Sequence, residues 1–364
     1  MLFFCFVSVR SSLHIIKYAM NLEKMKRLTH SVLNRLIIKE YHSKATKSSQ
    51  ISLINEIHNR LDSSEGELGS LSKYYFDGNG KGIRPVLILG MANAINEHLG
   101  KFPEVVLQKQ RNIAAITEMF HTASLMHDDV IDGAPTRRNK PSINYKWNKH
   151  KSVHTGDYIT FTANQMLGDI NNFEIIYSMS QILSDLVLGE FQQMSSKSKT
   201  LEDRFAIYLD KTYNKTASLI ANSCKSVALL ATNDESLSKA AFSFGKNIGI
   251  AFQLVDDWLD FMGNELNTGK PVGIDMKLGI ATGPVLFACQ DFPELEDIII
   301  RRFKKEDDVK RALEMVFSSN GIDQTLNFAK EYAEKAIKDL DQLKSSNCKS
   351  QLISLVDDII DRES

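Results

Sequence analysis

Apolar residues recur at three- and four-residue spacing over long stretches of the chain, most clearly over Ile113–Asp129, Leu237–Phe261 and Gln324–Leu343. That spacing gathers them on one face of a helix and predicts three long amphipathic helices. Only seven prolines interrupt the 364 residues, so long helices can run between them. Alternating runs of β-branched residues bounded by tight-turn pairs are missing, and no sheet is expected. Glycine collects over Gly78–Gly82 and Gly263–Gly283, which read as loops. There is no repeat of fixed period. From about residue 51 to 364 the pattern predicts one all-α domain, a single large helix bundle with its site in a central cavity between facing helices.

Composition changes this picture little. A hydrophobic content of 43% supports a packed core, and 44 basic against 45 acidic residues leave a net charge of -1, so no global excess argues for nucleic acid. Cys5, Cys224, Cys289 and Cys348 are scattered without a C-x-x-C pair, which offers no zinc or disulfide framework. No stretch reaches the roughly 18 apolar residues of a spanning helix. At most a peripheral membrane association is expected. Residues 1–50 differ: nine Lys/Arg stand against only Glu23 and Glu40. That basic, acid-poor segment predicts a mitochondrial transit peptide, and hence a mitochondrial location, with a short secretory leader over Met1–Val9 or an unstructured cytosolic tail as the alternatives.

The candidate chemistry lies in two clusters, Asp128-Asp129-Val130-Ile131-Asp132 and Asp256-Asp257-Trp258-Leu259-Asp260. Each spells D-D-x-x-D. Two such matches arise by chance in only about a few per thousand chains of this length. On a helix, positions i and i+4 share a face, so Asp128 aligns with Asp132 and Asp256 with Asp260. Both clusters end apolar runs, where poor solvation sharpens the repulsion between like charges. A cation should offset it. Hard oxygen ligands, few in number, suit Mg2+, which binds through one or two carboxylates plus substrate phosphates.

Basic residues gather where a phosphate would meet that metal. Arg137 and Arg138 follow the first cluster in a loop between Pro135 and Pro141, and arginine's planar fork fits phosphate oxygens two at a time. Upstream, Gly78-Asn79-Gly80-Lys81-Gly82-Ile83-Arg84-Pro85 opens a helix, so its backbone N–H groups and two cations form an anion cradle. It is not a Walker loop, because Lys81 is not followed by Ser or Thr. His121 lies two helical turns before Asp128 and shares its face.

The order G-K-x-x-R-P, H-T-A-S-L-x-H-D-D-V-x-D, R-R, K-T-A-S-L-I, F-Q-L-x-D-D-x-L-D and G-K-P resembles the trans-prenyl diphosphate synthases over roughly residues 51–364. More narrowly, His121–Asp132, Lys215–Lys225, Gly245–Phe261 and Leu278–Phe287 are similar to the catalytic first subunit of the branch that makes the decaprenyl side chain of ubiquinone. The resemblance implies a magnesium-dependent, head-to-tail condensation of isopentenyl diphosphate onto an allylic diphosphate such as farnesyl or geranylgeranyl diphosphate. It also implies a homo-oligomer, or a hetero-oligomer with a second synthase subunit. By the same resemblance Lys81, Arg84, His121 and Arg138 would hold isopentenyl diphosphate. Arg137, Lys215, Thr216, Gln253 and Lys270 would serve the allylic diphosphate, and Asp128, Asp132 and Asp256 would ligate metal, with Asp129, Asp257 and Asp260 completing the catalytic clusters. Ala123 and Ser124, small residues five and four before Asp128, stand where a bulky aromatic would stop chain growth early, which implies a long product. Phe120, a turn further down, is a candidate floor or ordinary core.

Two positions depart from the family pattern. Asn139 stands where relatives carry glycine after the two arginines. Ile280 stands where a second lysine is usual, and Lys277, three residues earlier, is a candidate to supply the missing charge. A class I terpene cyclase would replace the second aspartate cluster, and a non-catalytic regulatory subunit would have eroded aspartates; all six are present.

Overall fold

The structure is a computed structural model that describes residues 50–62, 66–78, 80, 82–100, 102–194, 200–262 and 272–362. The chain divides into two units, Met1–Ser52 and Leu53–Ser364. The expected transit segment falls on residues 1–50 and lies, save for residue 50, outside the described residues.

Within the second unit the long helices are α1 (Ile83–Leu99), α2 (Glu104–Ile131), α3 (Lys149–Ile170), α4 (Phe173–Met194), α5 (Leu201–Thr212), α6 (Ser218–Ala231), α7 (Glu235–Met262), α8 (Gly321–Asp339) and α9 (Asn347–Ile360). The three periodic segments fall on α2, α7 and α8. The last ends earlier than its pattern, because residues Leu340–Gln342 tighten into a 3-10 turn before Leu343. Local signals set the ends. Pro103 precedes the first turn of α2, Asp234 accepts from the Ser236 and Leu237 amides at the start of α7, and Gly82 takes a left-handed conformation before α1.

The main core joins α1, α2, α3, α4, α6 and α7 around Ile88, Met91, Ile116, Met119, Phe120, Phe244 and Ile248. Close approach of α7 to the turn before α6 depends on Gly249, where a Cβ would sit 2.5 Å from the Ala217 Cα. Any larger residue would push the helices apart.

A sheet, which the sequence does not predict, is present in minimal form. Two-residue strands β1 (Thr136–Arg137) and β2 (Lys140–Pro141) pair antiparallel. Arg138 and Asn139 between them both have positive φ, 51° and 61°. This two-residue turn demands left-handed backbone at both positions. Asparagine adopts it more readily than most non-glycine residues, which is why Asn139 can stand in the place of glycine. The expected loop at Gly263–Gly283 is also partly helical, with a short turn at Ile274–Lys277.

Candidate active site

The first cluster sits at the C-terminal end of α2 and the second at the C-terminal end of α7. Asp128 is buried enough that its pKa rises to about 6, helped by the negative charges of Glu190 and Asp132 and opposed by Lys215 and Arg137. Burial also raises Asp132. Two carboxylates at i and i+4 that carry charge reluctantly are a donor set that a divalent cation would relieve. Among the described residues no group of three or more His, Cys, Asp or Glu side chains forms a ready-made metal cage.

The middle aspartates point elsewhere. Asp129 is fully buried, paired with Arg137 at 2.7 Å, and accepts the Tyr75 hydroxyl at 3.1 Å. Asp257 is 3% exposed and accepts the Tyr208 hydroxyl at 2.5 Å and the Gln253 amide at 2.9 Å. Burial raises its pKa while these two hydrogen bonds pull it back. A residue one step along a helix is turned by about 100°. Asp129 and Asp257 therefore support the site from beneath, and Asp129 aims Arg137.

Lys215 and Thr216 lie on a five-residue π-turn, Tyr213–Ala217, between α5 and α6. Such turns change which side chains face a site. Lys215 Nζ meets Glu190 at 2.6 Å, and the Thr216 hydroxyl donates to Gln253 at 2.9 Å. Thr216, Gln253, Asp257 and Tyr208 thus form one hydrogen-bonded chain from α6's entry through α7 to α5.

A second basic group surrounds α1's first turn. Arg84 donates to His121 Nε2 at 3.0 Å. Since arginine can only donate, that nitrogen accepts and the ring carries its proton on Nδ1. Burial and the nearby Arg84, Arg138 and Arg137 hold the ring neutral, well below its ordinary pKa. Arg138 reaches Glu118 at 3.3 Å and the Tyr75 carbonyl at 2.9 Å, and lies against Gly80 of the glycine loop. Arg84 is within electrostatic reach of both Glu118 on α2 and Asp256 of the second cluster on α7. Arg84 Nε is buried with no hydrogen-bond partner among the described residues. An anion would satisfy it. Lys81 and Lys270 lie outside the described residues.

Several residues near this site carry no sequence signal. Arg362 donates to Asp256 at 2.6 Å and stacks 4.0 Å from the Phe252 ring centre. Glu190, Glu118, Tyr75 and Tyr208 act through partners far away in the chain. Lys277 is exposed. Ala123 is 1% exposed within the main core, whereas Ser124 is half-buried and donates to the His121 carbonyl at 2.9 Å. Phe120 is core, 1% exposed.

Comparison with known proteins decides the family. The Polyprenyl synthetase profile matches residues 65–316. The chain belongs to the polyprenyl synthetase family. It is 46% identical over 311 residues to the all-trans-polyprenyl-diphosphate synthase of Mus musculus, covering 85% of this chain and 76% of the relative. It is 43% identical to the decaprenyl-diphosphate synthase of Dictyostelium discoideum, over 81% of this chain and 62% of that one. The fold matches a Caulobacter crescentus polyprenyl synthase solved with calcium and isoprenyl diphosphate, with a TM-score of 0.77, 30% identity, and coverage of 88% of this chain and 97% of that chain. This polyprenyl synthetase is a prenyltransferase of the long-chain polyprenyl diphosphate type, with the all-α isoprenoid synthase fold.

Proposed function

We propose that the chain extends an allylic diphosphate, farnesyl or geranylgeranyl, with isopentenyl units in a magnesium-dependent reaction. The observation that carries the assignment is the pair of aspartate clusters facing two separate basic groups, one around Arg84, His121 and Arg138 and one around Arg137 and Lys215. Two diphosphates need two cradles. Asp128, Asp132 and Asp256 would hold the metal, which supplies positive charge to the leaving diphosphate.

The chain's own residues do the rest. Arg137 and Lys215 neutralise charge on the departing allylic diphosphate as its C–O bond breaks. Arg84 and Arg138, with Lys81 and the neutral His121, orient isopentenyl diphosphate so that its double bond attacks the allylic carbon. Thr216 and Gln253 face the developing cation with oxygen atoms. A proton then leaves the new chain, with the released diphosphate as its acceptor, and the product is five carbons longer. Asp129 and Asp257 act as positioning residues through Arg137 and Gln253.

The relatives' names, decaprenyl, hexaprenyl and solanesyl among them, support a long product, which on the sequence resemblance would serve as the ubiquinone side chain. Hexaprenyl and solanesyl synthases named as mitochondrial are 37% and 39% identical to this chain. With the basic residues 1–50, they support mitochondrial import. A relative named subunit 1 of decaprenyl-diphosphate synthase, 37% identical, supports assembly with a second subunit as an alternative to a homo-oligomer. Among the described residues no helix is long and apolar enough to cross a membrane. The test is chain-length analysis of products made by the purified protein from isopentenyl and farnesyl diphosphates, with and without Mg2+. Products of about 40 to 50 carbons that require the metal are expected; absence of any elongated product would overturn the reading.

A further inference from the structure

Lys211 lies in the last turn of α5, four residues before Lys215 on the π-turn that follows. It is half-buried, and among the described residues its ammonium makes no hydrogen bond or ion pair; it lies 5.7 Å from the centre of the Tyr208 ring. The charges that act on it are those of Asp257, Asp275, Lys215 and Glu190. A cavity of about 60 Å³ lies beside it, lined by Gln192, Tyr208, Lys211, Gly279 and Ile280. Lys211 and Ile280 thus line one cavity.

A lysine stem that is partly buried, without a hydrogen-bonded partner for its charge, is costly unless something anionic completes it. The local carboxylates attract it at a distance but none takes its hydrogen bonds. Its neighbour Lys215, by contrast, is closed off at 2.6 Å by Glu190.

We propose that Lys211 is a further binding residue for the allylic diphosphate, and that it supplies from α5 the positive charge that a lysine at position 280 would supply in the same cavity. The inference rests on the proposed function. Two arrangements of one charge become equivalent: a lysine at 211 with an apolar residue at 280, or the reverse. A lysine that merely balanced Asp257 and Asp275 would affect stability and leave anion binding alone.

The experiment compares wild type, Lys211→Met, Ile280→Lys and the double variant Lys211→Met/Ile280→Lys. It reads steady-state kinetics with both substrates, calorimetric binding of inorganic pyrophosphate with Mg2+, and a melting curve for each protein. Lys211→Met is expected to weaken pyrophosphate binding by about tenfold or more, the scale of one charge-assisted hydrogen bond, and to lower kcat/KM for the allylic substrate in step. The KM for isopentenyl diphosphate should stay within about twofold. Adding Ile280→Lys should restore most of both losses. Unchanged pyrophosphate binding in Lys211→Met overturns the proposal, as does a loss that Ile280→Lys leaves unrestored. Should Lys211→Met not fold, Lys211→Gln takes its place under the same criteria. If wild type turns over and Lys211→Met equals it, only this inference fails; if wild type makes no product, the functional reading itself fails.

Discussion

Tyr208 donates its hydroxyl to Asp257 at 2.5 Å, from the last turns of α5 into the buried side of α7. The contact sits under the aspartate cluster and holds the carboxylate that in turn receives the Gln253 amide. Tyr208→Phe keeps the ring and deletes only this donor. It should cost about 1 to 3 kcal/mol, the scale for leaving a buried charged acceptor short of one hydrogen bond. Activity should fall severalfold through kcat, because Gln253 loses its anchored partner. Denaturant unfolding beside steady-state kinetics checks this, and an unaltered unfolding midpoint would show the contact to be idle.

Asp128→Asn should abolish turnover by a factor of at least about 100, since a metal ligand is lost. Its melting temperature should hold or rise, because the burial and repulsion that lift the Asp128 pKa to about 6 are relieved. Near-normal turnover in a folded variant would end the metal-cluster mechanism.

The two basic groups should separate kinetically. Arg84→Ala is expected to raise chiefly the KM for isopentenyl diphosphate, whereas Arg137→Ala harms kcat or the allylic substrate. Identical substrate dependence in the two variants would show the cradles to be misassigned.

Product length should respond to Ser124 and Ala123 differently. Ser124 is half-buried and shares a helix face with Asp128, so Ser124→Phe should shorten the products to roughly 15 to 20 carbons with condensation intact. Ala123 is packed in the main core. Ala123→Tyr should therefore also lower stability, by about 1 to 3 kcal/mol. Chromatography of dephosphorylated products with matched melting curves reads both effects; long chains from a folded Ser124→Phe enzyme would place the growing chain along another wall.

Away from the site, Arg301 grips Asp308 with two hydrogen bonds of 2.8 and 2.6 Å and holds its pKa at about 2, below the ordinary 3.8. The shift is a depression, so the stability it contributes is present above pH 3.8 and is lost as pH falls through about 2. Arg301→Leu should lower the melting temperature at pH 6. The gap to wild type should close as pH approaches 2; a gap constant across that range would mean that the pair contributes through packing alone.

The long helices were legible because α2 and α7 repeat apolar residues over many turns, and the clusters were legible because D-D-x-x-D is rare and local. The inward turn of Asp129 and Asp257 was also readable in principle, from the angle between adjacent helix positions. The hairpin at Thr136–Pro141 was not, since Arg138-Asn139 lacks the glycine that ordinarily marks such a turn. Arg362 and Glu190 were invisible for another reason. Each meets its partner 106 or 25 residues away, and no local pattern records that distance.

The five-residue turn at Tyr213–Ala217 does more than aim two side chains. A continuous helix from 201 to 231 would lock the rotational phase of its two halves together, so that fitting Tyr208 to Asp257 would dictate how Ala217 meets Gly249. One surplus residue in the turn uncouples them, and each half can be fitted to α7 separately. An optimiser that rewarded helical regularity would remove that residue as a defect and obtain a smoother bundle with its lysines facing the wrong way.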